Sequence, residues 1–193
     1  MAAIQNRKLN NEEVKRILYF SALAPVFDDL QDNKGLVLKK IDLQVLMEGN
    51  KHPDLSNTEN ELALKYISGT LKGLEQNRIR HLTRMAFQFL HENQTSSVPN
   101  KKKGMLAAMM YRSLLDGKIY ELEEHLVSKS GYLGQFIDDI FDYYEDRKLG
   151  LQTLATTHQD NSSLKASWDT AKRGFLDELQ VYTQNKGRDY ETN

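Results

Sequence analysis

The 193-residue chain contains no cysteine. Disulfides, thiolate metal sites and cysteine nucleophiles are excluded. Prolines number only 3 and glycines 11, and alternating β-branched stretches are scarce, so a strand-rich fold punctuated by frequent turns is not indicated. No apolar run approaches the roughly 20 residues of a membrane-spanning helix. The opening MAAIQNRKLNNEEVKR turns polar at once and shows no apolar signal-peptide core. A basic excess is also missing: 26 Lys and Arg face 27 Asp and Glu, for a formal net charge of −1. That balance argues against a general nucleic-acid binder. The 5 histidines show no metal-ligand spacing, and no P-loop, Rossmann glycine run or nucleophile elbow is present. The expectation is a soluble, cytoplasmic protein with one domain over 1–193.

Apolar residues recur at three- and four-residue steps, the helical period. The pattern predicts an all-α antiparallel bundle of six to seven helices, at about 11–31, 39–48, 59–75, 76–93, 100–115, 120–147 and 162–184. Asn10 or Asn11 caps the first, with Glu12 and Glu13 in its first turn. Pro25 predicts a kink there. A break in the sixth is expected near Ser130 and Gly131. The stretch from His52 to Thr58 reads as a loop with cap chemistry, and 186–193 reads as a frayed tail.

Two acidic clusters stand out. One is Asp28-Asp29-Leu30-Gln31-Asp32, and the other is Asp138-Asp139-Ile140-Phe141-Asp142, continued by Asp146. Each follows a strongly apolar helical stretch. Residues four apart share a helix face, so Asp28 aligns with Asp32, and Asp138 with Asp142 and Asp146. Like charges at this spacing cost a bare helix roughly 0.2–0.5 kcal/mol per pair. The negative end of a helix dipole disfavours them further. A hard cation is the natural compensation. Mg²⁺ takes oxygen ligands and is commonly held by one or two carboxylates together with substrate phosphate oxygens. An EF-hand over Asp28–Lys40 fails, because taking Gly35 as its sixth position puts Leu30 first and leaves no closing Glu.

The segment Gly131-Tyr132-Leu133-Gly134-Gln135-Phe136-Ile137-Asp138-Asp139-Ile140-Phe141-Asp142 resembles the second Asp-rich helix of the class I isoprenoid (terpenoid) synthase superfamily. That superfamily includes the trans-prenyl diphosphate synthases and the terpene cyclases. Gln135 lies three residues before Asp138, as the family's Gln does. Asp28-Asp29-Leu30-Gln31-Asp32 is similar to the family's first Asp-rich motif. Lys103-Gly104-Met105-Leu106 is similar to its Lys-containing helix start. Lys39 and Lys40 follow where prenyl synthases carry an Arg pair, although Lys lacks the bidentate fork of Arg. Family members normally carry several helices before the first motif, and here there is room for one.

The resemblance implies a terpenoid-synthase-type bundle, in its complete or an incomplete version. It implies a Mg²⁺-dependent enzyme that ionises an allylic prenyl diphosphate, for prenyl transfer or cyclisation. Asp28, Asp29, Asp32, Asp138, Asp139, Asp142 and Asp146 are then the candidate metal ligands. Gln135, Lys103, Lys39, Lys40 and Arg112 are the candidate substrate contacts. The alternative is a non-catalytic truncated relative, or a helical subunit that binds prenyl diphosphate or a partner protein. A homodimer or partner subunit is expected in either case. The aromatic residues at helical spacing, including Phe136, Phe141, Tyr143 and Tyr144, are expected to be mostly core.

Overall fold

The computed structural model describes residues 7–34, 40–95 and 101–185. Among the described residues there are eight helices and no strand: α1 (Asn11–Lys34), α2 (Lys40–Met47), α3 (Asn57–Leu71), α4 (Gln76–Thr95), α5 (Lys101–Ser113), α6 (Glu121–Phe141), α7 (Tyr143–Leu149) and α8 (Asn161–Asn185). The all-α expectation therefore holds, and the helix positions follow the apolar period closely. The 186–193 tail lies outside the described residues.

The chain separates into two compact units. The first comprises Met1–Leu90 with Met110–Asp116, and the second His91–Met109 with Gly117–Asn193.

In the first unit, α1 and α2 pack on α3. Their apolar faces meet in a core of Leu23, Leu46, Leu55, Ala63 and Ile67. Helix α1 starts because Asn10 and Glu13 cap it reciprocally. The Glu13 N–H donates to Asn10 Oδ1 at 2.9 Å, and the Asn10 N–H donates to Glu13 Oε2 at 2.8 Å. Two of the helix's orphan donor positions are thereby satisfied. The helix then continues through Pro25. Ser56 and Glu59 form a second capping box at the start of α3. The loop before it is held by the buried Asn60 amide, which accepts from the His52 N–H at 2.7 Å and donates to the His52 and Leu55 carbonyls at 3.0 and 2.9 Å.

In the second unit, α6 packs along α8 and α7 against α6. Phe136, Leu154, Ala155 and Ala171 form the core, flanked by Tyr132, Leu133, Tyr143, Leu164 and Trp168. The Trp168 ring meets Phe136 edge-on at 6.0 Å, and His158 stacks on the same ring at 6.4 Å. Helix α7 ends at Gly150 with φ +71°. The Gly150 and Leu151 N–H groups turn back to the Arg147 and Asp146 carbonyls at 3.3 and 2.8 Å. This Schellman arrangement needs a left-handed residue, which glycine adopts without a Cβ clash.

The expected break near Ser130 and Gly131 is corrected: α6 runs unbroken through both residues. The interruption falls instead at Asp142, between α6 and α7. The Ser130 hydroxyl donates within its own helix to the Val127 carbonyl at 2.7 Å. Gly131 serves a close approach. A Cβ there would strike the Gly104 carbonyl of α5, and one at Gly104 would strike the Gly131 carbonyl.

Candidate functional site

The second Asp-rich segment spans the end of α6 and the start of α7. Its inward side is set by Phe136 and Tyr143, which belong to the core of the second unit. Asp139 lies on that side and is 7% exposed. Gln135 Nε2 donates to its Oδ1 at 2.7 Å, and the Leu154 N–H donates to its Oδ2 at 2.7 Å. Burial pushes the Asp139 carboxyl above the usual carboxylate range, against the pull of these two hydrogen bonds. The negative charges of Asp146 and Asp138 raise it further.

Asp138 and Asp142 face outward and are exposed, and Asp146 is half-buried. The interruption at Asp142 does not destroy their spacing. Asp142 has φ −87° and ψ 2°. Its N–H still reaches the Asp138 carbonyl at 3.0 Å, and the Asp146 N–H reaches the Asp142 carbonyl at 2.9 Å. The four-residue repeat of carboxylates thus survives across the break. Adjacent aspartates are sorted by burial. One is tied into the fold and the next is presented to solvent.

The other sequence-predicted residues divide the same way. Lys103 is half-buried in the first turn of α5. The adjacent Gly104 lies against Gly131, and the Gln135 Cβ stands 2.6 Å from where a Gly104 Cβ would be. The two short segments that carry the resemblance, Lys103-Gly104 and Gly131 to Gln135, therefore pack on each other. Arg112 has no exposed surface. It is in the first unit, where its Nη1 donates to the Leu115 carbonyl at 3.5 Å. A guanidinium so enclosed acts on its surroundings inside the fold rather than on a solvent-borne ligand. The side chains of Asp28, Asp29, Asp32 and Lys40, and all of Lys39, lie outside the described residues.

Asp138 and Asp142 are hard oxygen donors, the ligand class that Mg²⁺ takes. Among the described residues, no group of three or more His, Asp or Glu is placed to hold a metal ion by protein ligands alone. Asp139 has both oxygens committed to protein donors.

A polar centre that the sequence reading missed lies in the first unit. Glu13 is fully buried. It accepts from both terminal nitrogens of Arg7 and, at 2.7 Å, from the Asp116 N–H. These bonds, with the Arg7 charge, hold its carboxyl down at about 2. Arg16, 3% exposed, donates from Nη2 to Asp116 Oδ1 at 2.6 Å. Arg78 donates to the Leu115 carbonyl from another direction. This network fastens the start of α1 to the turn after α5. The Asn10-x-x-Glu13 spacing was its one local signal; its partners come from more than a hundred residues away in the case of Asp116.

Open grooves occur in each unit. In the second, Lys129 and Tyr132 of α6 and Ala166, Thr170 and Gly174 of α8 line a space of about 450 Å³. In the first, Gln44, Glu48, Gln76 and Arg80 rim one of about 630 Å³. No helix among the described residues is long and apolar enough to cross a membrane.

Comparison with protein-family models, curated proteins and solved structures found no match.

Proposed function

We propose that the chain is a class I isoprenoid synthase-type protein that binds an allylic prenyl diphosphate through Mg²⁺ at Asp138 and Asp142 and ionises it. The observation that carries this reading is the sorting of the Asp pair. Gln135 and Leu154 hold Asp139 inward, and this fixes the rotation of α6 so that Asp138 and Asp142 both face solvent.

The chain's own contribution is orientation. Two carboxylates at helical spacing present oxygens to one side, and the buried Asp139 keeps that side from turning. Bound Mg²⁺ supplies positive charge against the diphosphate as it leaves. Lys103 is the basic residue proposed to approach the diphosphate. Arg112 is enclosed in the first unit and is not used in this proposal.

Calorimetry with geranyl, farnesyl and geranylgeranyl diphosphate, with and without Mg²⁺, tests the reading. The expected result is mutual dependence, with weak binding of either alone and tighter binding together. Asp138→Ala and Asp142→Ala abolish the Mg²⁺-dependent part. Diphosphate release measured on the same samples separates an enzyme from a non-catalytic subunit that binds without turnover. If no Mg²⁺-dependent binding of any of the three is seen, the reading fails.

A further inference from the structure

Helix α6 gives way to α7 at Asp142 without a local cause. Proline, glycine and serine, the usual residues at a break, are absent from Ile140 to Tyr144. Hydrogen bonding persists across the joint, from the Asp142 N–H to the Asp138 carbonyl at 3.0 Å and from the Asp146 N–H to the Asp142 carbonyl at 2.9 Å. Yet Asp142 has ψ 2°, against about −42° in a helix. That difference turns α7 off the α6 axis.

The cause is a ring closed downstream. Helix α7 ends at Gly150, and the Leu151 N–H turns back to the Asp146 carbonyl at 2.8 Å. Three residues on, the Leu154 N–H is anchored to Asp139 of α6 at 2.7 Å. The Thr156 hydroxyl joins these two anchors. It donates to the Leu151 carbonyl at 2.7 Å and accepts from the Thr153 N–H at 2.8 Å. The Thr153 hydroxyl donates to it at 3.3 Å and accepts from the Thr156 N–H at 3.3 Å. A hydroxyl has one proton to give and two lone pairs, so that of Thr156 is used in full. Leu154 and Ala155 beside it are buried, which roots the turn in the core of the second unit. The end of α7 is thereby tied to the segment that holds α6.

We infer that Thr156 is a positioning residue: its hydroxyl holds α7 at its angle to α6 and so sets the aim of the Asp142 carboxylate relative to that of Asp138. The inference rests on Mg²⁺ binding at those two carboxylates. Asp142 stands at the joint, so its direction changes with the angle. Mg²⁺ demands near-octahedral oxygen geometry, and a site held too loosely by its supporting shell fails. Without the hydroxyl, the Leu151 carbonyl and the Thr153 N–H lose their common partner, and α7 is free to realign with α6.

The test has two readouts on the full chain. The chain has no cysteine, so Lys148→Cys on α7 and Lys172→Cys on α8, both exposed, take spin labels without background. Electron–electron double resonance should give a narrow distance distribution, and Thr156→Val should broaden it. Thr156→Ala should do the same, which separates the lost hydroxyl from the packing of valine. Thr156→Ser keeps the hydroxyl and should restore the narrow distribution. Far-UV circular dichroism checks that each variant keeps its helices. Calorimetry with farnesyl diphosphate, without labels, is the second readout. Thr156→Val should weaken the Mg²⁺-dependent binding about tenfold, leave the Mg²⁺-free affinity unchanged, and be rescued by Thr156→Ser. A distribution unchanged in Thr156→Val or Thr156→Ala overturns the inference, as does a serine variant that restores nothing. A parent that binds with Mg²⁺ and a Thr156→Val variant that binds equally well overturns this inference alone. A parent without Mg²⁺-dependent binding overturns the proposed function and the positioning role with it.

Discussion

Gln135 and Asp139, one turn apart on α6, are joined by a 2.7 Å hydrogen bond that turns the second aspartate of the Asp138-Asp139 pair away from solvent. The Leu154 N–H completes the hold on the other oxygen. A pair that reads in sequence as two equivalent ligands is thus one anchor and one presented carboxylate.

Asp139→Ala should destabilise the protein by about 1–3 kcal/mol, because the buried Leu154 N–H and the Gln135 amide lose their acceptor. Asp139→Asn should cost less, since an amide oxygen still accepts from Leu154 and the Gln135 amide can rotate to accept. Asp138→Ala, on the exposed neighbour, should stay within about 0.5 kcal/mol. Urea midpoints measure all three. The pH dependence has a definite sign. Burial, the leading cause, raises the folded carboxyl above its ordinary value of 3.8. The folded state therefore holds the proton more tightly than the unfolded chain, and ionising Asp139 lowers stability as pH rises from the ordinary carboxylate range through the raised value. Asp139→Asn should remove that part of the slope. An unchanged profile would contradict the assignment.

Glu13 should behave in the opposite sense. Its carboxyl is held at about 2, against an ordinary 4.5, first by the Arg7 hydrogen bonds. Its contribution is complete above the unfolded value and is lost as pH falls from 4.5 toward 2. Thermal melts across that window should show an acid-side loss that Glu13→Gln flattens. Removing one partner of a buried ion pair typically costs about 3–5 kcal/mol. The Arg7 side chain is 33% exposed, so Glu13→Ala belongs near the lower end.

Three glycines on α5 and α6 should part company when changed to alanine. Alanine at Gly104 or Gly131 sets a Cβ against the other helix's carbonyl, and overpacking of this kind costs about 1–3 kcal/mol. Nothing stands within 4 Å of a Cβ at Gly134. There the helix propensity of alanine should act alone and stabilise the protein by roughly 0.5–1 kcal/mol. Chemical denaturation of the three variants decides it; equal effects would mean that the close approach of α5 and α6 is not maintained in solution.

The helical class, the Asn10 cap and the positions of α1 to α5 and α8 were legible in the sequence because each depends on neighbours within a turn. Hydrogen bonds four residues apart, apolar steps of three and four, and cap side chains are local quantities. The four-residue spacing of Asp138, Asp142 and Asp146 was legible for the same reason. The fates of single side chains were not. Successive residues on a helix differ by about 100° in direction, so Asp138 and Asp139 are chemically alike in sequence and point to different sides of the helix. Which one is buried was decided by Leu154, fifteen residues away, and by the core around Phe136. Tertiary packing likewise enclosed Arg112, expected to meet a ligand, and left Phe141 and Tyr144, expected in the core, 82% and 84% exposed. Sequence determined where the chain coils and where its carboxylates repeat. Only the packing of α5, α7 and α8 against α6 fixed the rotation of that helix, and with it which groups the protein keeps and which it offers.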